Sequence, residues 1–221
     1  MAKKILVLVA AIMAFGVVPA VASATNSPEL VETGGKTVEV GKKILATNVG
    51  NTLMTDGSTN TLLSCQTATM TGTVTKNDGS NVEGNIADAT FKNHETSTCS
   101  GILGATTVTS TPATNGVPWC IRSTSTMATD EFQVRGNECS KAQRPIRFIL
   151  DLPFGVVCTY QRTNAITGTF TTGEGKTVMS ISHVEFPLLE SVGFGCPSAG
   201  YLDMSFTLET DESPFARVDI I

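Results

Sequence analysis

Two imidazoles, His94 and His183, are the only ones in the chain, and neither has the spacing that imidazole chemistry requires. There is no H-E-x-x-H pair, and no cysteine or carboxylate stands near either at ligand spacing. His183 falls in the alternating stretch VMSISHVEF and reads as a residue on a strand face, while His94 sits in the polar loop KNHETST. Two further stretches imitate reactive motifs. Gly173-Glu174-Gly175-Lys176-Thr177 ends like a phosphate-binding loop, but the position of that loop's first glycine is held by Phe170, so the segment reads as a hairpin turn. Around Ser198 the frame resembles a nucleophile elbow, yet Cys196 occupies a glycine position and no strand-to-helix crossover follows, so Ser198 reads as a turn residue.

Acid–base hydrolysis of a glycoside needs two carboxylates facing one cleft. Asp130, Glu131, Glu209, Asp211 and Glu212 are the candidates for a secreted hydrolase, but Asp130 and Glu131 are neighbours and so point to opposite faces of a strand. The C-terminal acids read as a solvated tail. Asp56, Asp78 and those tail acids could meet calcium only without the loop pattern that calcium sites use. Catalytic residues, a cofactor and a metal site are therefore not expected. The aromatic candidates for a ligand platform are Trp119, in Pro118-Trp119-Cys120, and Tyr201, because large rings offer contact area at low entropic cost. For Trp119 the favoured reading is instead an indole packed against the neighbouring disulfide.

The elements that must position such residues are β-strands in an oxidising compartment. Residues 1–24, MAKKILVLVAAIMAFGVVPAVASA, combine two lysines, an apolar run and an Ala-Ser-Ala site, and read as an export signal cleaved after Ala24. Cleavage leaves 197 residues and, with Lys3 and Lys4 gone, moves the formal charge from −5 to −7. An acidic chain whose densest basic spot is Lys42-Lys43 is not expected to bind nucleic acid. Cys65, Cys99, Cys120, Cys139, Cys158 and Cys196 all follow the signal and lie at least 18 residues apart, which favours three disulfides over a metal site. Six cysteines allow 15 pairings, and the sequential set Cys65–Cys99, Cys120–Cys139 and Cys158–Cys196 is the expectation.

Threonine occurs 33 times, and its branched Cβ suits a pleated, half-wet surface better than a helix. In Met70-Thr-Gly-Thr-Val74-Thr75 and Ile166-Thr-Gly-Thr-Phe170-Thr-Thr172 threonine alternates with apolar residues or glycine, as a strand with one dry face requires. Phe148-Leu150-Leu152 and Met204-Phe206-Leu208 alternate in the same way. Asp56-Gly57, Asn77-Asp78-Gly79, Asn115-Gly116 and Gly173-Glu174-Gly175 supply turns. The expectation is an all-β, antiparallel sandwich or barrel. An ordered recurrence adds detail: Cys65, a T-G-T strand, Phe91 and Cys99 parallel Cys158, a T-G-T strand, Phe186 and Cys196, with Gly72 and Gly168 offset by 96. This suggests two related halves, 36–112 and 113–221, with Cys120–Cys139 as a clipped hairpin inserted between the copies.

The stretches TLLSCQTATMTGTVT, NGVPWCIRSTSTMATDEFQVRGNEC, VVCTYQRTNAITGTF and GCPSAGYLDMSFTLETDE resemble a group of uncharacterised secreted proteins from actinobacteria and related Gram-positive bacteria. That resemblance implies an extracellular β protein and carries no site. The expected function is a non-catalytic secreted or cell-envelope protein, structural or surface- and ligand-binding, located outside the cell or on the cell wall. Its partner is an extracellular ligand or envelope component, with self-assembly through open strand edges as a further route. An outer-membrane barrel is disfavoured, because one tryptophan and two tyrosines cannot form two aromatic girdles.

Overall fold

The structure is a computed structural model that describes residues 27–58, 60–111, 118–128, 130–173, 176–211 and 217–221. The export-signal reading of residues 1–24, the turn at Asn115-Gly116, and Glu174, Gly175 and Glu212 lie outside the described residues. The strands are β1 (Leu30–Glu32), β2 (Lys36–Thr37), β3 (Lys43–Asn48), β4 (Thr52–Thr55), β5 (Thr61–Cys65), β6 (Thr67–Asn77), β7 (Asn81–Lys92), β8 (Cys99–Gly101) and β9 (Gly104–Thr111). They continue with β10 (Trp119–Thr124), β11 (Glu131–Gly136), β12 (Ile146–Leu152), β13 (Val156–Arg162), β14 (Ile166–Gly173), β15 (Lys176–Val192), β16 (Ala199–Thr210) and β17 (Arg217–Ile220). Every strand pairing is antiparallel.

Eight strands close on themselves in the order β3-β6-β7-β10-β11-β14-β15-β16 and back to β3. Each uses both edges, so this ring is a barrel. The alternation seen in the sequence decides what faces in. Ala46, Met70, Val74, Ile121, Phe132, Met204 and Phe206 line the interior, whereas Thr71, Glu83, Gln133, Thr169 and Ser205 occupy the alternate, outward positions. In an eight-stranded barrel, side chains nearly fill the space. Glycine relieves the crowding locally: a Cβ on Gly168 would lie 2.2 Å from Phe132 Cζ, and one on Gly72 would lie 2.8 Å from the Asn85 carbonyl oxygen. One barrel end is closed by the N-terminal segment and β17, with Leu30, Val38 and Val218 buried against Val74 and Val82. Asn77 holds that plug by accepting from the Leu30 N–H (2.9 Å) and donating to the Leu30 and Val38 carbonyls (2.9 Å each).

At the opposite end the chain does not turn back directly. The strands β3, β7 and β11 run on into hairpins β4–β5, β8–β9 and β12–β13 before returning as β6, β10 and β14. The fourth excursion is the prolongation of β15 and β16 themselves, past a bulge between Ile181 and Val184. These four hairpins pair in turn, β16 with β4, β5 with β8, β9 with β12 and β13 with β15, giving a second tier above the barrel. Phe148 sits at its centre, with ring centroids 5.9 Å from Phe91, 5.9 Å from Trp119 and 5.2 Å from Phe186. Phe91 and Phe186, the phenylalanines matched in the two halves, thus converge on one ring, and a single apolar core spans both tiers.

The disulfides are Cys65–Cys99, Cys120–Cys139 and Cys158–Cys196. The first joins β5 to β8, and the third joins β13 to the β15–β16 connection. The stretches 36–112 and 113–221 supply adjoining arcs of one barrel. The hairpin between Cys120 and Cys139 departs from its expected status as an insertion, because β10 and β11 are two of the eight barrel strands and the ring cannot close without them.

Candidate functional site

The two-tier connectivity brings the tips of the four upper hairpins to one end of the molecule. Three tips carry large apolar side chains in water. The β8–β9 tip presents Ile102 (47% exposed) and Leu103 (42%), the β12–β13 tip Phe154 (94%), and the β15–β16 tip Val192 (54%) and Phe194 (94%). They are neighbours: a Cβ on Gly104 would lie 3.5 Å from Pro153, and one on Gly193 would lie 3.1 Å from Val156. The segments Gly101–Gly104, Pro153–Gly155 and Val192–Gly195 hold no charged residue. The fourth tip is polar. There Asp56 accepts from the Ser58 N–H (2.9 Å) and from Asn60 Nδ2 (2.7 Å), and these bonds hold its carboxyl below the usual aspartate range.

Local backbone chemistry holds the two phenyl groups outward. Pro153, Phe154 and Gly155 span the connection between the paired residues Leu152 and Val156. So short a link needs left-handed residues, supplied by Phe154 (φ +64°) and Gly155 (φ +74°). A bulky residue in that region carries strain of about 1–2 kcal/mol, and Phe154 gains no burial in return. Phe194 lies between Gly193 (φ +83°) and Gly195 (φ +100°), beside the Cys158–Cys196 bridge. Glycine is required at both, since other residues rarely adopt these angles. None of these tip residues was singled out in the sequence, although G-I-L-G, P-F-G and V-G-F-G place apolar residues within turn formers, where solvent exposure is the rule.

The residues expected to carry chemistry are dispersed. Trp119 is 1% exposed and packs on Phe148, so the reading of it as a surface platform is corrected: its strand position points into the core. Tyr201 lies on the outer face of β16 with its ring already engaged, stacked on His183 at 4.6 Å and 19° and touched by Gly57. Asp203 accepts from Ser182 Oγ (3.0 Å) and from the His183 N–H (2.7 Å), which fixes the bulge where His183 adopts φ +51°. His94 Nδ1 meets Thr67 Oγ1 at 3.1 Å in a surface loop. Asp130 and Glu131 lie at the start of β11 and Glu209 and Asp211 at the end of β16, with β14 and β15 standing between them. Asp78 caps its own turn by accepting from the Ser80 and Asn81 N–H groups (3.1 and 2.8 Å), which lowers its pKa, the reverse of what a general acid needs. Gly173 pairs with Lys176 to close the β14–β15 hairpin, and the Ser198 carbonyl accepts from Leu188 N–H in the β15–β16 connection. Among the described residues no group of three His, Cys, Asp or Glu is placed to hold a metal ion.

Inside the barrel a cavity of about 100 Å³ is bordered by Ala46, Met70, Met179, Met204, Phe170 and Leu208. Its walls are apolar, and such cavities stay dry. Among the described residues no helix is long and apolar enough to cross a membrane. The outward barrel positions, rich in threonine, are the reverse of the apolar outer band of a membrane-spanning barrel. No family model, curated protein or solved structure matches the chain.

Proposed function

We propose that this is a non-catalytic, extracellular β protein that binds a surface through the apolar hairpin tips at one end. The observation that carries this reading is the pair Phe154 and Phe194, each 94% exposed on neighbouring turns. Exposed apolar side chains scattered singly need no explanation, but a contiguous set held at one end marks an interaction site. Three disulfides fit an oxidising compartment, and one of them braces the Phe194 loop. The resemblance to secreted Gram-positive proteins agrees with a place at the cell envelope or cell wall. The barrel and its plug serve as the scaffold, and the upper tier presents the contacts.

The test is co-sedimentation of the secreted protein with washed envelopes of the producing cell. Wild type is expected in the pellet and the double variant Phe154→Ser/Phe194→Ser in the supernatant. Both side chains are in water, so the double variant should keep the wild-type melting temperature. Equal sedimentation of the two proteins would overturn the assignment of this end as the contact surface.

A further inference from the structure

We infer that the surface met by these tips is a lipid bilayer with little net charge, into whose interfacial layer Phe154 and Phe194 insert. This rests on the reading of the apolar end as the contact surface and names its partner. Three features favour lipid over a second protein. The apolar groups sit on the tips of separate turns rather than on a flat sheet face, so they can enter a soft phase side by side. Their area is small: two phenyl groups offer about 400 Å², and the three partly exposed aliphatic residues bring the total to roughly 600 Å², below the roughly 800 Å² per partner of a stable protein interface. The Phe194 tip is also braced by the Cys158–Cys196 disulfide, so little order is lost there on insertion.

Charge selects the kind of bilayer. The tips themselves are uncharged, and the charges nearest them on the supporting hairpins are acidic. Asp151 stands two residues before Pro153, and Glu190 stands two before Val192, both exposed. The basic residues of these hairpins, Arg147 and Arg162, lie at the other end of the upper tier, near the barrel. Anionic headgroups would therefore meet acidic side chains of like sign, without the lysine and arginine clusters that recruit proteins to such membranes. Zwitterionic or uncharged headgroups meet no such repulsion. Aromatic rings are suited to this depth, where one face is apolar and the surroundings are partly wet.

The experiment is flotation of the secreted chain with phosphatidylcholine vesicles, repeated with phosphatidylglycerol vesicles and at 50 and 500 mM salt. Wild type is expected to float with phosphatidylcholine, no better with phosphatidylglycerol, and with little change between the two salt concentrations. Phe154→Ser/Phe194→Ser should bind at least about 100-fold more weakly, the partition lost with two phenyl groups. Phe154→Trp and Phe194→Trp keep the aromatic anchor and should float, with tryptophan emission shifting to the blue and quenched by brominated lipid. Failure of wild type to float, while the double variant still loses envelope binding, would overturn the lipid assignment and leave the contact surface in place with a protein or glycan partner. Flotation of the double variant as strongly as wild type would also overturn it, since another face would then hold the lipid. A concentration-dependent dimer abolished by the double variant, without vesicle binding, would replace lipid by a second copy of the chain.

Discussion

Replacing Phe148 by alanine should unfold both tiers together, and the structure sets the size of the effect. Phe148 is 2% exposed and meets three aromatic rings edge-on at 5.2–5.9 Å. Phe91 and Trp119 belong to barrel strands β7 and β10, and Phe186 to β15, which runs through both tiers. Truncating a buried phenylalanine costs about 3–5 kcal/mol through lost transfer and the cavity left behind. Each edge-to-face pair adds about 0.5–1.5 kcal/mol beyond its area, and the neighbours are pinned in a cross-linked sheet that cannot collapse, so the upper end of that range, about 5 kcal/mol, is expected. For a chain of this size that is a fall of about 10–20 °C in Tm. Trp119 is the only tryptophan and touches the deleted ring, so its fluorescence reports the site while far-UV circular dichroism reports the whole sheet. The two signals should give one coincident transition. A loss below about 2 kcal/mol would show that the site relaxes freely, and two separated transitions would refute the single core across the tiers.

Two further outcomes follow from the same geometry. Gly168→Ala should destabilise by about 1–3 kcal/mol, because its Cβ would press on Phe132 at 2.2 Å and on the Ser180 carbonyl oxygen at 2.6 Å; Gly84→Ala, whose nearest contact is 3.4 Å, should stay close to wild type in the same denaturant titration. Tyr160 is fully buried, with desolvation pushing its pKa up to about 12, so an ultraviolet titration should show one of the two tyrosines ionising only near pH 12. Its contribution to stability is present in full below the unfolded value of about 10 and disappears as pH rises from there through 12, so a tyrosine titration complete by pH 10.5 in the folded protein would contradict the burial.

Much of this protein was decided within short windows of sequence. The alternation of threonine with apolar residues in β6 and β14 set which face is dry, because side chains on a strand reverse direction at every residue. Turn residues such as Asn77-Asp78-Gly79 located the hairpins, since Asp78 caps its own turn through neighbours two and three residues away. The number and wide spacing of the six cysteines pointed to three disulfides rather than a metal site, while the pairing itself was settled by which strands meet. In the two T-G-T segments, Gly72 and Gly168 each leave room that a Cβ would take from a carbonyl oxygen of a neighbouring strand. Tertiary structure alone decided the rest. Ring closure depends on β16 meeting β3 and β11 meeting β14, pairings between distant segments whose registers no local pattern encodes. The inward turn of Trp119 is set by its register opposite Ile86 on β7, not by the residues beside it. The apolar end exists only because four excursions leave the same rim of the barrel, so tips that read separately as G-I-L-G, P-F-G and V-G-F-G become one surface once the ring has closed.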